Sequence, residues 1–259
     1  MLQALFKQKL GRAIQEGIFH GIEDTLTSSV VGLLQYLPDA LFWKVLRGSC
    51  GASLASLPED VGPIQGVHFW ERMDATGTYN SQSVEPDVWI ETDLYNIIIE
   101  AKRSDSSSDN AQSTYQWFNE IVALNNSTKG ETDKELVFLA IGGNDTLRDL
   151  IFDVNGKEYI IHTASWFDLL GAVSKNRETL TNNPAETNLV RILEDVIKAM
   201  QYHGIFYTIW LNSITVEPID MDANHYLRES WSFDNTGFLN NMHFTSIKLE
   251  SLSDIWTTR

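Results

Sequence analysis

The sequence predicts an α/β protein with a mixed central sheet flanked by helices, and three observations lead to that reading. Segments follow one another as helix, three strands, helix, strand, an order that packs as a sheet crossed by helices. The stretch Glu85 to Arg103, EPDVWIETDLYNIIIEAKR, alternates between apolar and polar positions with a period of two, the signature of paired strands with distinct faces. Finally, 43% of the 259 residues are hydrophobic, enough to bury a sizeable core.

Taken in order, Leu5 to Leu37 reads as helical, with Ile14, Ile18, Ile22 and Leu26 in steps of four and Val30, Leu33, Leu34 and Leu37 continuing the stripe up to Pro38. Several glycines allow a break near Gly17 to Gly21. Glu16, His20, Glu23 and Thr27 form a polar stripe at three- and four-residue spacing. A short helix, Ala40 to Leu46, precedes a loop from Gly48 to Gly66. Val67 to Met73 is expected as the first strand, Asp87 to Glu91 and Asn96 to Lys102 as the next two. Ser104 to Asn110, SDSSSDN, reads as a linker able to cap a helix over Ala111 to Leu124, whose apolar positions include Tyr115, Trp117, Phe118 and Val122. Glu135 to Ile141 is a compact apolar strand closed by Gly142-Gly143.

Farther on, Tyr159 to Thr163 is expected as a strand and Trp166 to Ser174 as a helix. Asn183-Pro184 with Glu186 then opens a helix striped by Leu189, Ile192, Leu193, Val196 and Met200 and ending near Gly204. The tail from Ile205 to Arg259, with aromatics such as Trp231, Phe233, Phe238 and Phe244, has no single period. The expected organisation is a core over residues 1–180 and a C-terminal α/β or helical extension over 181–259, packed on it as one unit.

The single cysteine, Cys50, excludes an internal disulfide framework and a cysteine-rich zinc site, and it is expected to be a packing residue. The apolar runs are too short to cross a bilayer and the N-terminus has no signal-peptide hydrophobic block, so a cytoplasmic protein without a membrane partner is expected. The net charge of −16 argues against strong unaided binding to polyphosphate. It suits solubility, a basic partner subunit, or a divalent cation that inverts the field locally. Lys7, Lys9, Arg12, Lys44 and Arg47 are the best basic cluster for phosphate contacts.

Within the alternating stretch, Val88, Ile90, Ile97, Ile99 and Ala101 fall on a core face. Asp87, Trp89, Glu91, Asn96, Ile98, Glu100 and Lys102 fall on the opposite one. A two-residue turn at Asp93-Leu94, not a favoured hairpin sequence, places Asp87 opposite Glu100 and Ile90 opposite Ile97. Two carboxylates at roughly 5 Å across a strand pair repel, and each tends to keep a proton unless a cation intervenes. Oxygen ligands with open positions suit Mg²⁺ or Mn²⁺. Lys102 points to the same side, and its pKa is expected to fall if the neighbourhood is cationic or dry.

Pro86-Asp87, a gap, and Glu100-Ala101-Lys102 at the end of an apolar strand, after a helix with an acidic residue, resemble the PD-(D/E)XK nuclease superfamily over Leu5 to Ile141. The resemblance implies a restriction-endonuclease-like αβββαβ core. It also implies Asp87 and Glu100 as metal ligands with the Ala101 carbonyl, Lys102 as the residue that positions the attacking water or stabilises the phosphorane-like transition state, and an acidic residue on the first helix. Glu23 matches that last position best, with Asp24 and Glu16 as competitors. Gln112 is the nearest match to a glutamine that many members place on the following helix, and Gln116 lies one turn later. The expected activity is Mg²⁺- or Mn²⁺-dependent cleavage of phosphodiesters, most often in DNA, by the cleaving subunit of a bacterial restriction or phage-defence assembly, with a partner subunit or a second copy of the chain. The competing readings are a catalytically silent nuclease-fold module that mediates assembly, and an acidic nucleic-acid mimic. Structurally neutral readings also stand beside each residue: a surface charge pair for Glu100 and Lys102, a solvated helix residue for Glu23, a structural histidine for His20.

Overall fold

The computed structural model describes residues 23–106, 110–128 and 134–206. The described residues belong to a compact unit spanning Met1–Thr208, and the second unit, Ile209–Arg259, lies outside them. Glu16, His20, Lys7, Lys9, Arg12 and the tail aromatics therefore fall outside the described residues as well.

Helices α1 (Glu23–Leu34) and α2 (Asp39–Ser49) lead through a 3-10 turn, Gly51–Ser53, into β1 (Ile64–Phe69). A small hairpin of β2 (Met73–Asp74) and β3 (Ser83–Val84) follows, then β4 (Val88–Thr92), β5 (Tyr95–Ala101), α3 (Thr114–Ser127) and β6 (Glu135–Ile141). The remainder is β7 (Leu150–Val154), β8 (Lys157–Ala164), α4 (Trp166–Thr181), a 3-10 turn at Pro184–Glu186, and α5 (Thr187–Tyr202).

Six strands form one mixed sheet in the order β1-β4-β5-β6-β8-β7. β4 lies between β1 and β5 and is antiparallel to both, β6 runs parallel to β5 and to β8, and β7 closes the edge antiparallel to β8. The parallel step from β5 to β6 is made possible by α3, since parallel neighbours need a crossover connection. The hairpin has the expected register, with Val88 opposite Ile99 and Ile90 opposite Ile97. Thr92 replaces the missing turn chemistry, because its hydroxyl accepts from the Leu94 and Tyr95 N–H groups and donates to the Tyr95 carbonyl.

Both sides of the sheet are covered. Val88, Ile90, Ile97, Ile99 and Ala101 join Leu26, Val30, Phe42, Trp166 and Val196 in the larger apolar cluster, under α1, α2, α4 and α5. The opposite face has a core of its own, in which Ile98 and Phe138 pack on Trp117, Ile121 and Leu124 of α3. That is why Asp87, Glu100 and Lys102 are buried rather than displayed on an open surface.

Several boundaries differ from expectation. β1 begins inside the expected loop, and β7 was not foreseen. α3 begins at Thr114 with Ser113 as its N-cap, so SDSSSDN does not cap it and Gln112 precedes the helix; Tyr115 is 68% exposed. α4 continues to Thr181, and α5 packs on α1 and α4 with Leu193, Val196 and Met200 in the same core, within the unit Met1–Thr208. Cys50 packs in that core, and burial pushes its thiol up to about 12. No helix among the described residues is long and apolar enough to cross a membrane.

Candidate active site

The carboxylates meet at the end of β5. Glu23 stands at the described start of α1, Asp87 immediately before β4, and Glu100 near the C-terminal end of β5, whose neighbour β6 ends in the same place. Glu23, Asp87 and Glu100 each offer an oxygen, and the three atoms lie within 4.8 Å of one another. Lys102 Nζ donates to Glu100 Oε1, lies 3.6 Å from Glu23 Oε1 and is 3.3 Å from the Ala101 carbonyl oxygen. All the residues expected at the site except Gln112 therefore converge through their side chains or, for Ala101, through its carbonyl.

Apart from Lys102, the hydrogen bonds that hold these carboxylates come from neutral donors. The Asp87 oxygens accept from the Trp70 indole Nε1–H at 3.0 Å and from the Ala101 N–H at 2.9 Å. Trp70 is buried and has φ 47°, a left-handed backbone that costs a non-glycine residue free energy and that collects at functional positions. Glu23 Oε2 accepts from the Arg103 N–H at 3.0 Å and from Asn110 Nδ2 at 2.7 Å. Glu100 Oε1 accepts from Gln116 Nε2 at 2.5 Å.

Gln112 does something else. Its amide donates to the Glu100 and Gly142 carbonyls and accepts from the Trp117 indole, so it ties strand ends together while Gln116 reaches the carboxylate. Gly142 and Gly143 have φ of 73° and 63°, and a Cβ on Gly143 would sit 2.9 Å from both Cβ and Cγ of Lys102. The glycine pair is what lets the Lys102 side chain pass the end of β6 toward the carboxylates.

Glu120 was not anticipated. It lies on the buried face of α3, 1% exposed, with its carboxyl against that of Glu100. Glu100 Oε2 and Glu120 Oε2 receive no hydrogen bond from any donor among the described residues. The two carboxyls satisfy each other only when one of them keeps a proton.

The electrostatics follow from this crowding. Burial, then the charge of Glu100, raises Asp87 well above the carboxylate range. Burial, then Glu120, raises Glu100 despite Lys102. Burial pushes Glu120 up to about 8, even though its bond to Glu100 works the other way. Burial pulls Lys102 down, but Glu100, Glu23 and Asp87 together outweigh it and its pKa rises, contrary to the fall expected for a dry or cationic setting. Four carboxyl groups thus share one ammonium, and the deficit of positive charge is met by protons or by a cation. Hard oxygen donors, a buried Glu100 oxygen without a donor and a carbonyl turned to the same point fit a small divalent cation.

No family model matches the chain, and no solved structure matches it. An uncharacterized protein of Pasteurella multocida (strain Pm70) is 30% identical over 220 residues, which cover 79% of this chain and 78% of that protein.

Proposed function

The chain belongs to the family of that Pasteurella multocida protein, and from the site we propose that it is a Mg²⁺- or Mn²⁺-dependent nuclease that hydrolyses phosphodiester bonds, with DNA as the preferred substrate. The observation that carries this reading is the convergence of Glu23, Asp87 and Glu100 within 4.8 Å around Lys102. The αβββαβ order, with β1, β4 and β5 antiparallel and β6 parallel to β5 after α3, supports a restriction-endonuclease-like core.

In this reading Asp87, Glu100 and the Ala101 carbonyl hold the cation and Glu23 closes the ring of acids. A bound divalent cation neutralises the anionic phosphodiester, lowers the pKa of a water and supports the leaving alkoxide. Lys102 keeps its proton at neutral pH, since its neighbours raise its pKa. It therefore works as a fixed positive charge and hydrogen-bond donor toward the phosphate oxygens or the attacking water, and not as the base. Trp70 and Ala101 N–H fix the orientation of Asp87, and Gln116 that of Glu100. The net charge of −16 leaves substrate capture dependent on the cation, on local basic groups or on a basic partner.

Incubating the protein with plasmid, single-stranded DNA and RNA in Mg²⁺ or Mn²⁺ tests the reading. Cleavage is expected to fall by about 100-fold or more in Glu100→Ala and Lys102→Ala. Cleavage that survived both substitutions would remove the assignment. Absence of both cleavage and Mn²⁺ binding in calorimetry would leave an assembly module.

A further inference from the structure

In a chain where 21% of the residues are charged and acids prevail to a net charge of −16, two segments carry no charge at all. They are ATGTYNSQSV, from Ala75 to Val84, and NAQSTYQWFN, from Asn110 to Asn119. The fold joins them beside the carboxylates. The buried Asn119 side chain accepts from the Tyr79 N–H at 2.8 Å and donates to Asn80 Oδ1 at 3.2 Å, which fixes the loop between β2 and β3 on α3. The first segment ends shortly before Asp87, and the second contains Gln116, whose amide donates to Glu100 Oε1 at 2.5 Å. The charges that bound the first segment are engaged, Asp74 by the Thr76 N–H and hydroxyl and Glu85 by Arg72 at 3.0 Å. Two aromatic rings stand on this uncharged surface. Tyr79 is 67% exposed and Tyr115 68%, their rings lie 5.4 Å apart at 76°, and Tyr79 leans on Phe118 at 4.9 Å. Tyr115, Phe118 and Asn119 share one face of α3, and the adjoining face carries Gln116 and Glu120 to the carboxylates.

We propose that Tyr79 and Tyr115 are the stacking platform for an unpaired nucleobase of the strand whose phosphate enters the carboxylate site. The proposal rests on the nuclease reading and adds a contact to the base. One exposed tyrosine by itself means little. Two rings meeting at 76° leave a corner in which a base stacks on one ring and turns its edge to the other. Stacking of that kind holds single strands without regard to sequence. A base inside a duplex has both faces covered by its neighbours, so the platform selects unpaired nucleotides. Asn119 and Phe118 hold the loop and its ring in place, which lowers the entropy lost on binding. The charge distribution points to the same surface, because the acids that give the chain its charge of −16 are absent from both segments. An anionic strand meets the least repulsion there.

Fluorescence anisotropy of the full chain with a labelled oligothymidine, and with a blunt duplex of equal length, tests the proposal in EDTA and again in Ca²⁺. Wild type is expected to bind the single strand at least about tenfold tighter than the duplex. Tyr115→Ala is expected to weaken single-strand binding about 5- to 150-fold, Tyr79→Ala to weaken it as well, and Tyr115→Phe, which keeps the ring, to bind as wild type does. Thr114→Glu puts an acid on the exposed surface beside Tyr115, in the first turn of α3, where it stabilises the helix. Its weaker binding therefore reports charge and not lost folding, and the loss is expected to shrink at high salt. A melting curve on each alanine variant separates lost binding from lost folding. Unchanged binding by Tyr115→Ala or Thr114→Glu, equal or tighter binding of the duplex, or no binding by wild type in either condition overturns the proposal. The two readings fail separately. A protein that binds single strands through Tyr115 and cleaves nothing loses only the nuclease reading, and one that cleaves duplex and ignores Tyr115 loses only this one.

Discussion

Two clusters of titratable groups sit on the same sheet, and only one of them is out of balance. On β8, His162 Nδ1 lies 2.9 Å from Asp149 Oδ1, and Asp149 also accepts from Ser56. Every charge there has a partner, and those partners, with Ser53, bring Asp149 below the carboxylate range despite a desolvation cost that opposes them. At the end of β5 four carboxyl groups face a single lysine, and the pKa values of Asp87, Glu100 and Glu120 go up instead. Buried charge alone is therefore a poor marker of function. An uncompensated excess, held in place by neutral donors such as the Trp70 indole, is a better one.

The largest effect should come from removing an acid of the unbalanced cluster. Asp87→Ala is expected to weaken Mn²⁺ binding in calorimetry by about 100-fold or more, whereas Asp149→Ala leaves it unchanged. Equal losses in both variants would mean that the comparison is wrong. Next in size is Trp70→Phe, which keeps the aromatic volume and removes the donor to Asp87 Oδ1. A roughly tenfold weaker Mn²⁺ affinity is expected, at the lower end of what such supporting hydrogen bonds contribute. A Trp70→Phe protein with wild-type affinity would show that Ala101 N–H alone orients the carboxylate.

How much of this was legible in the sequence depended on the period of each element. The register of the hairpin from Asp87 to Lys102 was legible, although each strand end lies one residue from its expected place, because slipping a strand by one position would exchange Ile97 and Ile99 for Ile98 and Glu100 on the larger core. Glu120 was not readable. Asn119 to Leu124 is buried at every position, so α3 shows no polar stripe against which a buried acid would look out of place. The choice between Gln112 and Gln116 turned on where α3 begins, and helix boundaries are the least determined feature of a pattern. Trp70 acquires its role only from a tertiary contact with Asp87, and nothing local in Phe69-Trp70-Glu71 announces a left-handed residue. β7 was missed because Leu150, Ile151 and Phe152 are all apolar although Ile151 points to solvent, so the inward-outward alternation of the strand does not show in residue type.

The third effect is a pH dependence from Glu120. Its folded pKa of about 8 lies above the ordinary 4.5, so between those values the folded chain binds a proton that the unfolded chain has released. The stability linked to Glu120 is thus fully present below pH 4.5 and is lost as pH rises toward about 8. Glu120→Gln cannot titrate, so its urea midpoint is expected to be less sensitive to pH over that window and higher than that of wild type at alkaline pH. Added Mn²⁺ should narrow the difference between the two proteins, because a cation supplies the charge that the proton otherwise does. A wild-type midpoint that stayed flat across the window would mean that the two carboxyls do not share a proton.

The smallest effect belongs to the balanced pair and runs with the opposite sign. Burial lowers His162 from its ordinary 6.5, although Asp149 pulls it up. The unfolded chain then takes up a proton before the folded one does, and stability falls as pH drops below about 6.5. Asp149, also lowered, adds to the loss in the same direction at more acid pH, as the pH falls below 3.8. His162→Gln keeps a donor for Asp149 and removes the first titration. It is expected to flatten the wild-type decline in urea midpoint just below pH 6.5 without changing Mn²⁺ affinity. The two clusters can thus be told apart in one set of denaturation curves: the balanced pair loses stability toward acid and ignores metal, while the unbalanced one loses stability toward alkali and is restored by it. A His162→Gln protein that bound Mn²⁺ more weakly would couple the two ends of the sheet and break the distinction.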